Sequence, residues 1–190
     1  MQHEKVTVGV LALQGAFHLH KEHVLATGAK YKEVTSADDL TQIDGLIIPG
    51  GESSVMLKLI DSLSMGSALY KFVNEKPAWG ICAGAILLAK EVTNPTQKSF
   101  GAIDIAIRRN GYGRQLDSFE EEINGYQVAY IRAPIVTNFE RSVAVHHRRG
   151  ADPTWVSSEK TVVTTFHPET NRMTPSPWHH SFVKTCSEGS

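Results

Sequence analysis

The sequence predicts an α/β protein of three layers, with a mostly parallel central sheet and an antiparallel extension. Three observations lead there. In the first half, short apolar runs at residues 6–13, 45–48 and 77–81 alternate with helical stretches. Strands that are apolar along their whole length belong to parallel sheets covered on both faces. In the second half, strand-like runs at 103–107, 127–131, 143–147, 155–157 and 161–166 follow one another across turn residues alone. The last two read as a hairpin through Ser158-Glu159-Lys160. The third observation is size: 190 residues suit one domain, 1–190, able to bury well over half of its unfolded surface.

Taken in order, Gln14-Gly15 turns the first strand into a helix over 16–27, which Gly28 stops. A short strand over 31–35 precedes Ser36-Ala37-Asp38-Asp39, a cap that opens a brief helix. The strand over 45–48 is closed by Pro49-Gly50-Gly51. Helices are expected over 53–64 and 67–74, and a fourth strand over 77–81. Pro175-Ser176-Pro177 precedes a final helix that frays into Ser187-Glu188-Gly189-Ser190.

Composition narrows the function. Nineteen Lys and Arg stand against twenty Asp and Glu, so the formal net charge is −1. That balance gives no argument for nucleic acid or an anionic membrane as partner. No apolar run approaches the length of a membrane span, and Met1-Gln2-His3-Glu4-Lys5 enters the first strand without a signal-peptide core. Two cysteines, Cys82 and Cys186, are too few for a disulfide framework. They point to a reduced, cytoplasmic setting.

Ligands in parallel sheets bind at the carboxyl ends of the strands, and Gly15, Gly50-Gly51 and Cys82 all fall there. Trp79-Gly80-Ile81-Cys82-Ala83-Gly84-Ala85-Ile86-Leu87-Leu88 reads as a strand running straight into a helix, with Cys82 on the corner. A helix N-terminus favours the thiolate, the nucleophilic form. On these ten residues alone, a buried core cysteine is the slightly better account. Further on, Thr165-Phe166-His167-Pro168-Glu169 follows the last strand. In extended chain His167 and Glu169 project to one face, and a carboxylate-backed imidazole is the base that activates a nucleophile. Alone, the tripeptide is weak evidence, and a surface turn explains it more often than catalysis does. Pro49-Gly50-Gly51-Glu52-Ser53 supplies glycines that let backbone N–H groups approach an oxyanion, with the Ala83 N–H as a second donor. A plain loop is the competing reading. A phosphate cradle lacks its Gly-x-x-x-x-Gly-Lys-Ser/Thr pattern.

Several segments then occur in a telling order: Leu13-Gln14-Gly15-Ala16, Pro49-Gly50-Gly51-Glu52-Ser53, Cys82-Ala83-Gly84, and Arg109-Asn110 with Tyr112-Gly113-Arg114-Gln115 and Asp117-Ser118-Phe119. Ile131-Arg132-Ala133-Pro134 and Phe166-His167-Pro168-Glu169 complete them. Together they resemble the glutaminase subunits of pyridoxal 5′-phosphate synthases, within the class I glutamine amidotransferases. The resemblance implies a flavodoxin-like fold and hydrolysis of L-glutamine to glutamate and ammonia. It further implies ammonia transfer to a barrel-shaped synthase subunit within a large hetero-oligomer, and no cofactor or metal. Carried across, Cys82 is the nucleophile, His167 the base and Glu169 its orienting carboxylate. Gly51 and Ala83 donate to the oxyanion, with Gln14 shaping that region. Glutamine contacts fall on Gly51, Glu52, Ser53, Arg109, Ile131 and Arg132. Low activity is expected without the synthase, because a Gly50-Gly51 peptide can flip at little steric cost. The chain departs from the pattern at Ile81 and Thr170, in a short segment between Phe119 and Ile131, and in the irregular stretch 171–177.

Two other readings stand beside this one: a cysteine hydrolase of the DJ-1/PfpI type, and a non-catalytic scaffold subunit. His18, His20 and His23 read as a solvated helix face or a partner surface. His146-His147-Arg148-Arg149 reads as a basic cluster at a strand end, by default a solvated loop, with a phosphate or partner contact as the alternative. Arg108 reads as surface, Cys186 as inert, and Met56 and Met65 as packing.

Overall fold

The computed structural model describes residues 5–111 and 118–188. The chain begins with β1 (Thr7–Leu11), a 3-10 turn at Phe17–Leu19, α1 (His20–Ala26) and β2 (Lys30–Val34). A second 3-10 turn, Asp38–Gln42, leads to β3 (Gly45–Ile48), α2 (Ser53–Ser62) and α3 (Gly66–Glu75). Then come β4 (Ala78–Ile81), α4 (Ala83–Leu88), β5 (Ala89–Thr93), β6 (Ile103–Arg108) and β7 (Ser118–Ile123). The remainder is β8 (Tyr126–Ile131), β9 (Ile135–Phe139), β10 (Ala144–Arg149), β11 (Asp152–Ser157), β12 (Thr161–Thr164) and α5 (Pro177–Glu188).

Seven strands form the main sheet in the order β10-β11-β12-β4-β3-β1-β2. The five from β12 to β2 are parallel, and β10 and β11 add on antiparallel. This is the mixed sheet that the sequence predicts. β3 and β4 are buried at every residue, and side-chain alternation sends them to opposite layers. Leu46 and Ile48 pack with Met56 and Ile60 of α2 and Leu69 and Phe72 of α3. Ile47 and Trp79 pack with Val24 of α1 and Trp178 and Phe182 of α5.

Three strands exceed the expectation. β5 joins β6 and β9 in a separate sheet, and β7 pairs with β8 in a two-stranded hairpin. The helix expected over 16–27 also contracts: its first turn is 3-10, and α1 starts at His20. His146-His147-Arg148-Arg149 closes β10, at the strand end expected of it, and its pairing with β11 replaces the solvated loop. There the His146 ring packs on Trp155 and its Nε2 meets Ser157 Oγ at 2.7 Å. The Tyr112-Gly113-Arg114-Gln115 segment and Asp117 lie outside the described residues, as do Gly189-Ser190 of the tail.

Candidate active site

Cys82 joins β4 to α4 with φ 50° and ψ −99°. Such a backbone strains any residue with a Cβ, typically by about 1–3 kcal/mol, and persists only where the surroundings enforce it. The enforcement is visible on both sides of the corner. A Cβ on Gly80 would sit 2.5 Å from the Gly84 carbonyl oxygen, and one on Gly84 would sit 1.9 Å from that of Ile48. The small residues of Gly80-Ile81-Cys82-Ala83-Gly84 are what allow α4 to pack directly on the strand ends. The thiol is 7% exposed and donates to the Ile131 carbonyl at 3.7 Å.

His167 follows β12 and is anchored to β8, its N–H donating to the Ala129 carbonyl at 2.7 Å. Its backbone is extended, as the following proline favours. Beyond it, Pro168–Thr170 forms a 3-10 turn, and Thr170 Oγ1 donates to the His167 carbonyl at 2.9 Å. The turn, rather than strand alternation, brings Glu169 Oε1 to 2.7 Å from His167 Nδ1. Both side chains are buried. Burial disfavours the imidazolium, but the Glu169 carboxylate and the nearby Cys82 thiol outweigh it and hold the His167 pKa well above its ordinary value. Burial likewise opposes the Glu169 carboxylate, yet His167 keeps its pKa below the usual one. His167 Nε2 is buried without a hydrogen-bond partner.

Cys82 and His167 share a cavity of about 320 Å³ with Gln14, Gly51, Glu52, Ser53, Ala83, Arg109, Ile131 and Arg132. Every residue expected at the site lines it except Glu169, which supports His167 from behind. Gly50 lies against the imidazole: a Cβ there would meet His167 Cε1 at 2.2 Å. The Gly50 carbonyl accepts from the Ala16 N–H at 3.0 Å, and Gln14 Oε1 accepts from the Glu52 N–H at 2.8 Å. The loop after β3 is thus tied to the loop after β1. Because a trans peptide opposes its N–H to its C=O, the Gly51 N–H is directed away from Ala16.

On the rim, Arg109 Nη2 and Glu52 Oε1 form an ion pair at 3.0 Å. Glu52 also caps α2, accepting from the Ser54 N–H at 3.4 Å, and takes a second bond from the Ser54 hydroxyl at 3.0 Å. Ser53 donates to Gln97 Oε1 at 3.0 Å. Arg132 adopts φ +45°, and Ile131 remains 39% exposed beside it. Asn110, Leu19, Ile86 and Pro134 line the cavity too. Leu19 and Ile86 carried no chemical signal in the sequence, and Asn110 and Pro134 were visible only within longer motifs.

One reading is corrected. His20 and His23 are not a solvated face: they are 0% and 2% exposed, beneath α5, while His18 is exposed. Cys186 is buried, and that burial pushes its thiol up to about 12. Among the described residues, no group of three His, Cys, Asp or Glu side chains is arranged to hold a metal, and no helix is long and apolar enough to cross a membrane.

Comparison with known proteins agrees with this geometry. A solved crystal structure of a glutamine amidotransferase superposes with a TM-score of 0.84 at 38% identity, over 94% of this chain and 98% of its own. The pyridoxal 5′-phosphate synthase subunit PdxT of Koribacter versatilis is 43% identical over 188 residues, 96% of each chain. That of Solibacter usitatus is 42% identical over 174 residues, 85% of this chain and 91% of its own. The model of the SNO glutamine amidotransferase family matches residues 10–188. On this evidence, and with the cysteine corner and carboxylate-backed imidazole already in place, the chain belongs to the SNO glutamine amidotransferase family.

Proposed function

We propose that this chain hydrolyses L-glutamine through a γ-glutamyl thioester on Cys82 and passes the ammonia to the barrel subunit of a pyridoxal 5′-phosphate synthase, in a large cytoplasmic hetero-oligomer. The observation that carries the reading is His167, held by Glu169 at 2.7 Å, facing one cavity together with the strained Cys82 corner. His167 takes the thiol proton and Cys82 Sγ attacks the side-chain carbonyl carbon. The resulting oxyanion is met by the Gly51 and Ala83 N–H groups. As the C–N bond breaks, the imidazolium returns the proton to the departing ammonia. Water, deprotonated by the same imidazole, then cleaves the thioester to glutamate through a second oxyanion. Glu169 fixes the His167 tautomer and stabilises its charge in both halves.

Glutamine carries an α-carboxylate and an α-ammonium, and Arg109 beside Glu52 offers one partner to each. Gln14 holds the Glu52 backbone, while Ser53, Ile131 and Arg132 close the rim. Among the described residues, reorienting the Gly50-Gly51 peptide breaks the one bond from Ala16 to Gly50, so docking of the synthase can set the oxyanion donors at a cost of about 1 kcal/mol.

Glutamate release from glutamine, measured with and without the synthase subunit, tests the reading. Release stimulated by the synthase and abolished in Cys82→Ala is expected. No release even in the complex overturns the assignment, and equal rates with and without the partner overturn the gating.

A further inference from the structure

Behind the His167–Glu169 pair lies a buried polar cluster that the proposed chemistry does not use. It comprises His20 and His23 from α1, with Ser176 and His179 at the start of α5, none more than 2% exposed. Buried polar groups are costly unless satisfied, so their connections are informative. His20 Nδ1 lies 2.8 Å from His179 Nε2, and His179 Nδ1 lies 2.6 Å from Ser176 Oγ. His20 Nε2 has no hydrogen-bond partner and sits 4.0 Å from Glu169 Oε1. The other Glu169 oxygen has no partner either.

The direction of this chain follows from its ends. Ser176 Oγ accepts from the His179 N–H at 3.2 Å and still has its hydroxyl proton to donate to His179 Nδ1, so the carboxylate end sets the polarity. His179 then carries its proton on Nε2 and donates to His20 Nδ1, and His20 carries its own on Nε2. The opposite polarity would aim a bare nitrogen lone pair at a buried carboxylate. His23 accepts from the Ser176 N–H at 3.0 Å and donates to the Asn171 carbonyl at 3.1 Å. Stacked on His179 at 4.5 Å, it holds the cluster in place.

We infer that His20 is a positioning residue for glutamine hydrolysis: its Nε2–H, fed by His179 and Ser176, is the second donor that closes on the Glu169 carboxylate. The inference rests on the glutaminase reading. A neutral donor suits the task, because a cation there would compete with His167 for the carboxylate charge. The titratable groups facing His20 are Glu169, His167, His23, His179 and His18. Burial holds His20 itself down to about 4, so it is neutral above that pH.

Three measurements on the complex with the synthase test the inference. His20→Phe keeps the bulk and removes the donor, and kcat should fall about ten- to a hundredfold, as when a hydrogen-bond partner that orients a functional side chain is lost, with KM unchanged. Losing a donor raises the pKa of a carboxylate, so the acid limb of kcat/KM should move to higher pH. His20→Gln, which keeps an N–H donor, should restore both. Nitrogen NMR of the wild-type chain reads the tautomer directly, whether or not the variants fold, and the proton is expected on His20 Nε2. A proton on Nδ1 overturns the inference. So does an unmoved acid limb in a folded His20→Phe, or equal losses in the Phe and Gln variants with no pH shift. An inactive wild-type complex would instead strike the glutaminase reading.

Discussion

At the residue scale, the site depends on Cys82 holding a backbone conformation that costs it energy. With φ 50° and ψ −99°, the corner would suit glycine better than any residue bearing a Cβ. Cys82→Gly should therefore be more stable than Cys82→Ala by about 1 kcal/mol, the relief of strain exceeding the entropy that glycine loses on folding. In a chain of this size that is a melting-temperature difference of about 2–4 °C. Thermal melts of the two inactive variants check it, and an Ala variant that melts higher shows the corner to be relaxed. Chemistry-bearing residues were legible because their neighbours are constrained. The glycines around Cys82 and beside His167 leave no room for a Cβ, and that constraint is written in the sequence. His20 was not legible. A histidine three residues from another looks solvated unless one knows that α5, far along the chain, covers it.

At the element scale, alternation read the buried strands well and the exposed ones poorly. β3 and β4 are continuous apolar runs, whereas β5 buries only Ala89 and Val92 and β7 is a run of glutamates. Yet β7 had a signal that alternation passed over. Asn124 and Gly125, at φ 53° and 80°, form the two-residue turn that joins it to β8. The pairing of α1 with α5 has a consequence for acid stability. Burial lowers the pKa of His20, His23 and His179 below 6.5, so between pH 6.5 and about 4 the unfolded chain binds more protons than the folded one. Stability then falls as pH falls, by up to about 1.4 kcal/mol per pH unit for each fully buried imidazole. His167 acts at the other end. Its raised pKa stabilises the fold fully below 6.5 and loses that effect only as pH rises through the raised value. Glu169, held low, contributes above about 4.5, its ordinary value, and fails only below it. Urea midpoints should drop from pH 7 to pH 5. A midpoint that holds or rises contradicts the assignment of neutral, buried histidines.

At the scale of the whole molecule, the parallel order β12-β4-β3-β1-β2 gathers the carboxyl ends of four strands around one cavity. Gln14 follows β1, Gly51 to Ser53 follow β3, Cys82 follows β4 and His167 follows β12. That convergence was legible because parallel sheets place their loops on one edge. The antiparallel pieces were less so, since Arg109 and Ile131 reach the cavity from β6 and β8, which belong to the two smaller sheets. The central claim is that Cys82 is the nucleophile and His167 its base. A glutamine analogue bearing a chloroketone in place of the carboxamide tests it most directly, read by intact mass and peptide mapping of the synthase complex. The account predicts one adduct per chain, on Cys82, blocked by glutamine, absent from Cys82→Ala and slowed in His167→Ala. An adduct that persists in Cys82→Ala, or forms as fast without the imidazole, would contradict it.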